Sequence, residues 1–130
     1  LLQTLSRLVP AKYLLRSEQP ITCADSEPEP DISVVTGAIE DYRHEHPRTA
    51  EFVVEVCVTT AEYDRWKLSA YAAAGVKECW LVLAETKQIE VYQQPAGDKF
   101  AARATHGPGG KLTSSAVPEF ALELDALFNP

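Results

Sequence analysis

Apolar and polar positions alternate most clearly over residues 51–58. Phe52, Val54, Val56 and Val58 fall on one side of an extended chain, and Glu51, Val53, Glu55 and Cys57 fall on the other. Thr59 or Thr60 is placed to cap a helix over residues 61–74, and Gly75 supplies the left-handed residue that ends it. Residues 76–84 are apolar on both faces, which predicts a strand in the middle of a sheet. Residues 86–93 return beside it as a hairpin, with Ile89 and Val91 on one side and Glu90 and Tyr92 on the other.

Upstream, Leu1, Leu2, Leu5 and Leu8 recur at helical spacing and Pro10 stops the run. A strand is expected over residues 13–22, then an acidic, turn-rich connection holding Pro28 and Pro30. A β-branched strand follows over residues 31–36, and residues 37–50 read as a loop with room for one helical turn. Downstream, residues 99–105 form a strand, 107–110 a turn and 120–128 a short closing helix. The sequence of elements predicts a mixed α/β sandwich.

A chain of 130 residues with 45% apolar content suits one domain spanning residues 1–130. It opens Leu1-Leu2-Gln3 and contains no Met, so it reads as a piece of something longer whose first helix is incomplete. The longest charge-free apolar run, residues 79–84, is far shorter than a bilayer requires, which predicts no spanning helix. Cys23, Cys57 and Cys79 form no Cys-x-x-Cys pair. They read as small core residues in a reducing cytoplasm. The formal charge of -7, with scattered bases, argues against a general nucleic-acid coat, because counterion release needs clustered Lys and Arg.

Two carboxylates stand out. Asp31 opens a strand directly after a proline, and Glu55 lies in the middle of the most apolar strand. Taken alone, Asp31 is an ordinary turn residue, Glu55 a solvent-facing strand position and Lys67 a solvated helix lysine. If the two strands are neighbours, the acids come within several Å. Like charges about 4 Å apart repel by roughly 4 kcal/mol at an effective dielectric near 20. A hard divalent cation with oxygen ligands answers that repulsion, and the ammonium of Lys67 can reach the same place.

At these residues the chain becomes recognisable. Pro30-Asp31, the strand Val53-Val54-Glu55-Val56, the segment Tyr63-Asp64-Arg65-Trp66-Lys67-Leu68 and the run from Tyr71 through Gly75 to Val82 resemble the Uma2 family. That is a bacterial group of endonucleases in the PD-(D/E)xK, or restriction-endonuclease-like, superfamily. The resemblance implies a restriction-endonuclease-like mixed sheet flanked by helices. It implies Asp31 and Glu55 as catalytic, metal-binding acids, the Val56 carbonyl as a further ligand, and Mg²⁺ or Mn²⁺ as cofactor. The superfamily's usual lysine lies two positions after the second acid, where this chain has Cys57. By the same resemblance Lys67 on the next helix is its migrated replacement. The implied chemistry is metal-dependent hydrolysis of DNA phosphodiester bonds.

Three functional readings stay open. The first is that nuclease. The second is a catalytically inactive homodimeric interaction module of the same fold, supported by the net charge and by Cys57, with the hairpin edge at residues 88–93 as a dimer surface unless the last helix covers it. The third is a hydrolase acting on a small phosphate ester. His44-Glu45-His46 reads as a solvated loop rather than a metal site. Thr60 and Ser69 lack a base partner. Tyr71 and Trp80 read as packing residues, and Trp66 as either packing or a surface for stacking bases.

Overall fold

The computed structural model describes residues 2–57, 63 and 65–124. A short helix, α1 (Leu2–Leu8), precedes strands β1 (Tyr13–Ser17), β2 (Ile32–Thr36) and β3 (Phe52–Cys57). Helix α2 (Trp66–Ala73) then leads to β4 (Glu78–Leu83), β5 (Gln88–Ala96), β6 (Lys99–His106), β7 (Lys111–Thr113) and β8 (Ala121–Glu123). One 3₁₀ turn, Ile39–Tyr42, lies in the loop between β2 and β3, where a single helical turn was expected.

The first six strands form one sheet in the order β1-β2-β3-β4-β5-β6. All its neighbours are antiparallel except β3 and β4, which run parallel with Phe52 opposite Glu78 and Cys57 opposite Leu83. A parallel pair needs a crossover, and α2 lies within it. The two central strands are therefore covered on both sides, which explains why β4 is buried throughout.

One face of the sheet packs Phe52, Val54, Trp80, Val82, Ile89 and Val91 beneath Leu5 of α1 and residues of the β7–β8 hairpin region. Phe52 is its hub, meeting the rings of Trp80 and Phe120 edge-on at centroid distances of 4.6 and 5.6 Å. The hairpin region is also tied down by a buried carboxylate. Glu78 accepts hydrogen bonds from Trp80 Nε1, Gln93 Nε2 and both the N–H and hydroxyl of Ser115, at 2.7 to 3.0 Å. The other face packs Val35, Val53, Cys79, Leu81 and Tyr92 against Tyr63, Tyr71 and Ile21.

Helix α2 ends as its sequence requires. Gly75 takes φ +79°, its N–H reaches Ala72 O, and Val76 N–H reaches back to Tyr71 O. Its observed start is Trp66, later than the expected residue 61, and the expected caps Thr59 and Thr60 lie outside the described residues.

Three expectations need correction. The strand expected over residues 13–22 stops at Ser17, because Glu18 takes a left-handed φ of 52° and Pro20 follows; Ile21 is still fully buried, without being in a strand. The closing helix is replaced over residues 121–123 by β8, which pairs with β7. Phe120, Leu122 and Leu124 are buried while Ala121 and Glu123 are exposed, a period of two rather than 3.6; residues 125–128 lie outside the described ones. The strand at residues 88–93 is not an edge, because β6 pairs along it. No helix among the described residues is long and apolar enough to cross a membrane.

Candidate metal centre

Strand parity brings the two acids together. Val35 on β2 and Val53 on β3 belong to the apolar cluster on one face of the sheet, so Asp31 and Glu55, each an even number of residues away, project from that same side. The β2–β3 ladder pairs Ile32 with Val54 and goes no further. Next in line are Asp31 and then Pro30, which has no N–H to offer. Side chains take over where the ladder ends. Asp31 N–H donates to Glu55 Oε1 at 3.0 Å, and Val56 N–H donates to Asp31 Oδ2 at 2.7 Å. The carbonyl of Val56 projects to the same side of its strand as the N–H, toward the gap beside Asp31.

Lys67 completes the cluster from α2, its Nζ 3.4 Å from Glu55 Oε2. The helix is held over the sheet by the buried ring of Tyr71 and by Ser69 Oγ, which donates to Asp98 O at 2.9 Å. Glu55 therefore touches both of the other residues singled out in the sequence, Asp31 through its backbone N–H and Lys67 through its ammonium. Two more arrive with them. The hydroxyls of Tyr63 and Tyr71 each donate to Glu55 Oε2 at 3.4 Å. Sequence reasoning placed Tyr71 only in the core, and it is fully buried, but its hydroxyl belongs to this cluster. The available signal was the recurrence of Tyr63, Lys67 and Tyr71 every four residues, one face of the helix expected over residues 61–74, although Tyr63 precedes the observed start at Trp66.

Glu55 is only 3% exposed. Burial pushes its carboxyl above the ordinary range; the Lys67 charge and the Asp31 N–H pull it down, and the Asp31 charge opposes them. Burial also drives both phenols well above their usual range, with the Glu55 charge adding to the rise, so each keeps its proton and serves as a donor. Asp31 is half-buried. It spends Oδ2 on Val56, and Oδ1 has no hydrogen-bond partner among the described residues.

The donor set suits a hard divalent cation. Mg²⁺ typically takes one or two carboxylates and keeps water or phosphate oxygens for the rest, so two adjacent acids and a carbonyl suffice. Among the described residues there is no group of three or more His, Cys, Asp and Glu placed to hold a metal. His44, Glu45 and His46 are exposed. Cys57 shares the parity of Glu55 and packs against the same apolar cluster. Trp66, one residue before Lys67, is 49% exposed, and Arg65 beside it is exposed as well. On β6, Arg103 pairs with Glu90 at 2.9 Å on the same sheet face.

A solved structure described as a putative nuclease belonging to DUF820, from Anabaena variabilis ATCC 29413, shares this fold with a TM-score of 0.75. It is 18% identical, and the match covers 98% of this chain and 75% of that one. No curated protein matches the chain. Residues 1–126 match the family Uma2, described as "Putative restriction endonuclease". With nearly its whole length matched, the chain belongs to the Uma2 family.

Proposed function

We propose that this single domain is a cytoplasmic, metal-dependent endonuclease that hydrolyses phosphodiester bonds of DNA. The observation that supports the reading is that Glu55 accepts the Asp31 N–H on one oxygen and meets the Lys67 ammonium on the other, where β2 and β3 part. Asp31 and Glu55 would hold Mg²⁺ or Mn²⁺, with the Val56 carbonyl as a third oxygen. When bound, the ion polarises a phosphoryl oxygen and lowers the pKa of water.

The chain's own groups do the rest. Val56 N–H keeps Asp31 turned toward the gap, and Asp31 N–H keeps Glu55 turned toward Asp31. Lys67 offsets negative charge that develops on the phosphoryl group and orients the attacking water. Arg65 places positive charge near this face in a chain whose net charge is -7, whereas the charge of Arg103 is answered by Glu90.

Supercoiled plasmid incubated with Mg²⁺ or Mn²⁺ is expected to be nicked or linearised, with EDTA and Asp31→Asn each stopping the reaction. Intact plasmid across both metals, with the protein folded, removes the proposal. A non-catalytic homodimeric module of the same fold is favoured by the net charge and by Cys57 in the place of the usual lysine. The β5 edge offers it no surface, because β6 occupies that edge. Competition between plasmid and small phosphate esters separates a nuclease from a hydrolase of the latter.

A further inference from the structure

We propose that Tyr63 and Tyr71 are positioning residues for the metal-binding carboxylate of Glu55, an assignment that rests on the nuclease reading above. Three donors, Tyr63 Oη, Lys67 Nζ and Tyr71 Oη, each stand 3.4 Å from one oxygen, Oε2. That is longer than the usual O–H···O bond, so Oε2 is shared among the three rather than committed to one. The other oxygen is held by Asp31 N–H. Both ends of the carboxylate are thus fixed, and its plane cannot turn away from Asp31 without losing donors.

Filling space does not require these hydroxyls. A phenylalanine occupies the same volume, whereas a buried phenol needs an acceptor. Two phenols converging on a single oxygen of a nearly buried acid is an arrangement about that acid. Their chemistry also differs from that of Lys67. A neutral donor orients a carboxylate without presenting a charge that an incoming cation must displace, while an ammonium presents one.

The sheet holds its own control. Glu90 accepts one phenol, Tyr92 at 2.7 Å, and one guanidinium, Arg103 at 2.9 Å. It lies on β5, across Leu81 from Glu55, with no second acid paired to it. Removing the Tyr92 hydroxyl is the same chemical loss on the same face, away from the metal ligands.

Mn²⁺ binding by titration calorimetry, with the ion alone, tests the assignment in the full chain. Wild type binds, and Asp31→Asn loses binding. Tyr63→Phe/Tyr71→Phe is expected to bind about tenfold more weakly, in the range for lost partners of metal ligands. Tyr92→Phe is expected to bind as wild type does. In plasmid cleavage the double variant is expected to lose kcat with an unchanged KM for DNA. Should the double variant fail to fold, the single variants each carry a loss of roughly threefold if the two phenols act independently. A folded double variant, or both folded single variants, binding Mn²⁺ as wild type does overturns the assignment while leaving the nuclease reading intact. A wild-type chain that binds no Mn²⁺ overturns both.

Discussion

Asp31 and Glu55 are bound to each other through the backbone: the N–H of Asp31 donates to Glu55 Oε1 at 3.0 Å, across strands whose ladder has just ended at Ile32 and Val54. The acids are neighbours in the position a next ladder pair would take. Their closeness is therefore a property of the sheet register. The repulsion between them is answered by donors on Asp31, Val56 and Lys67.

Substituting Asp31→Asn should separate function from stability. The amide oxygen still accepts the Val56 N–H, so unfolding by urea in EDTA is expected to shift by less than about 1 kcal/mol. Mn²⁺ heats and plasmid cleavage are both expected to vanish. A large loss of stability would show that Asp31 serves the fold instead.

Lys67→Met should act in two opposite directions. Glu55 is left nearly buried without its counter-charge, a loss of about 3 kcal/mol of stability in EDTA. The ammonium no longer competes for Oε2, so Mn²⁺ binding is expected to tighten about tenfold and to restore much of that stability. Cleavage is expected to fall at least a hundredfold. Urea melts with and without Mn²⁺, alongside calorimetry, read all three effects.

Trp66 presents half its surface to solvent at the first turn of α2, beside Lys67. Trp66→Ala is expected to leave the melting curve within about 0.5 kcal/mol of wild type. If the indole stacks on a base near the scissile phosphate, DNA binding weakens by about 1–3 kcal/mol. Fluorescence anisotropy with a labelled duplex, in Ca²⁺ in place of Mg²⁺, measures it.

Cys79 supplies a pH dependence. It is fully buried, and desolvation followed by the charges of Glu55 and Glu78 raises its thiol well above the ordinary range. The folded chain therefore holds this proton where the unfolded chain has released it. Stability is expected to fall as pH rises through about 9, by up to about 1.4 kcal/mol per pH unit for this one group. Cys79→Ala is expected to flatten that slope, measured by urea unfolding from pH 8 to 10. Iodoacetamide is expected to label Cys79 only after denaturant is added.

Much of the sheet was legible because its strands carry distinct patterns. β3 alternates, β4 is apolar on both faces, and β5 and β6 read as returning strands. The adjacency of Asp31 and Glu55 was legible only on the condition that their strands are neighbours, and β2 does pair with β3. What was lost was lost to short segments. Three alternating residues, Leu122 between Ala121 and Glu123, carry too little signal to resist a helical reading of the apolar residues around them. The end of β1 depends on a positive φ at Glu18, a residue type that does not announce one. Tyr71 was hidden by its own burial, since a ring that fills the core and a hydroxyl that reaches an acid look alike in a pattern of apolar positions.

Placing the ammonium on α2, and not two residues beyond Glu55 on β3, changes what the site depends on. A lysine at position 57 would travel with its strand and be present whenever the sheet is. Lys67 arrives only when the helix is seated, and an eight-residue helix has little persistence of its own. A molecule whose helix lifts while β2 and β3 stay joined would keep its acids side by side and be chemically silent. Under the proposed nuclease reading, warming should therefore extinguish cleavage ahead of the main melting transition, making it a sensitive gauge of how firmly that one helix sits.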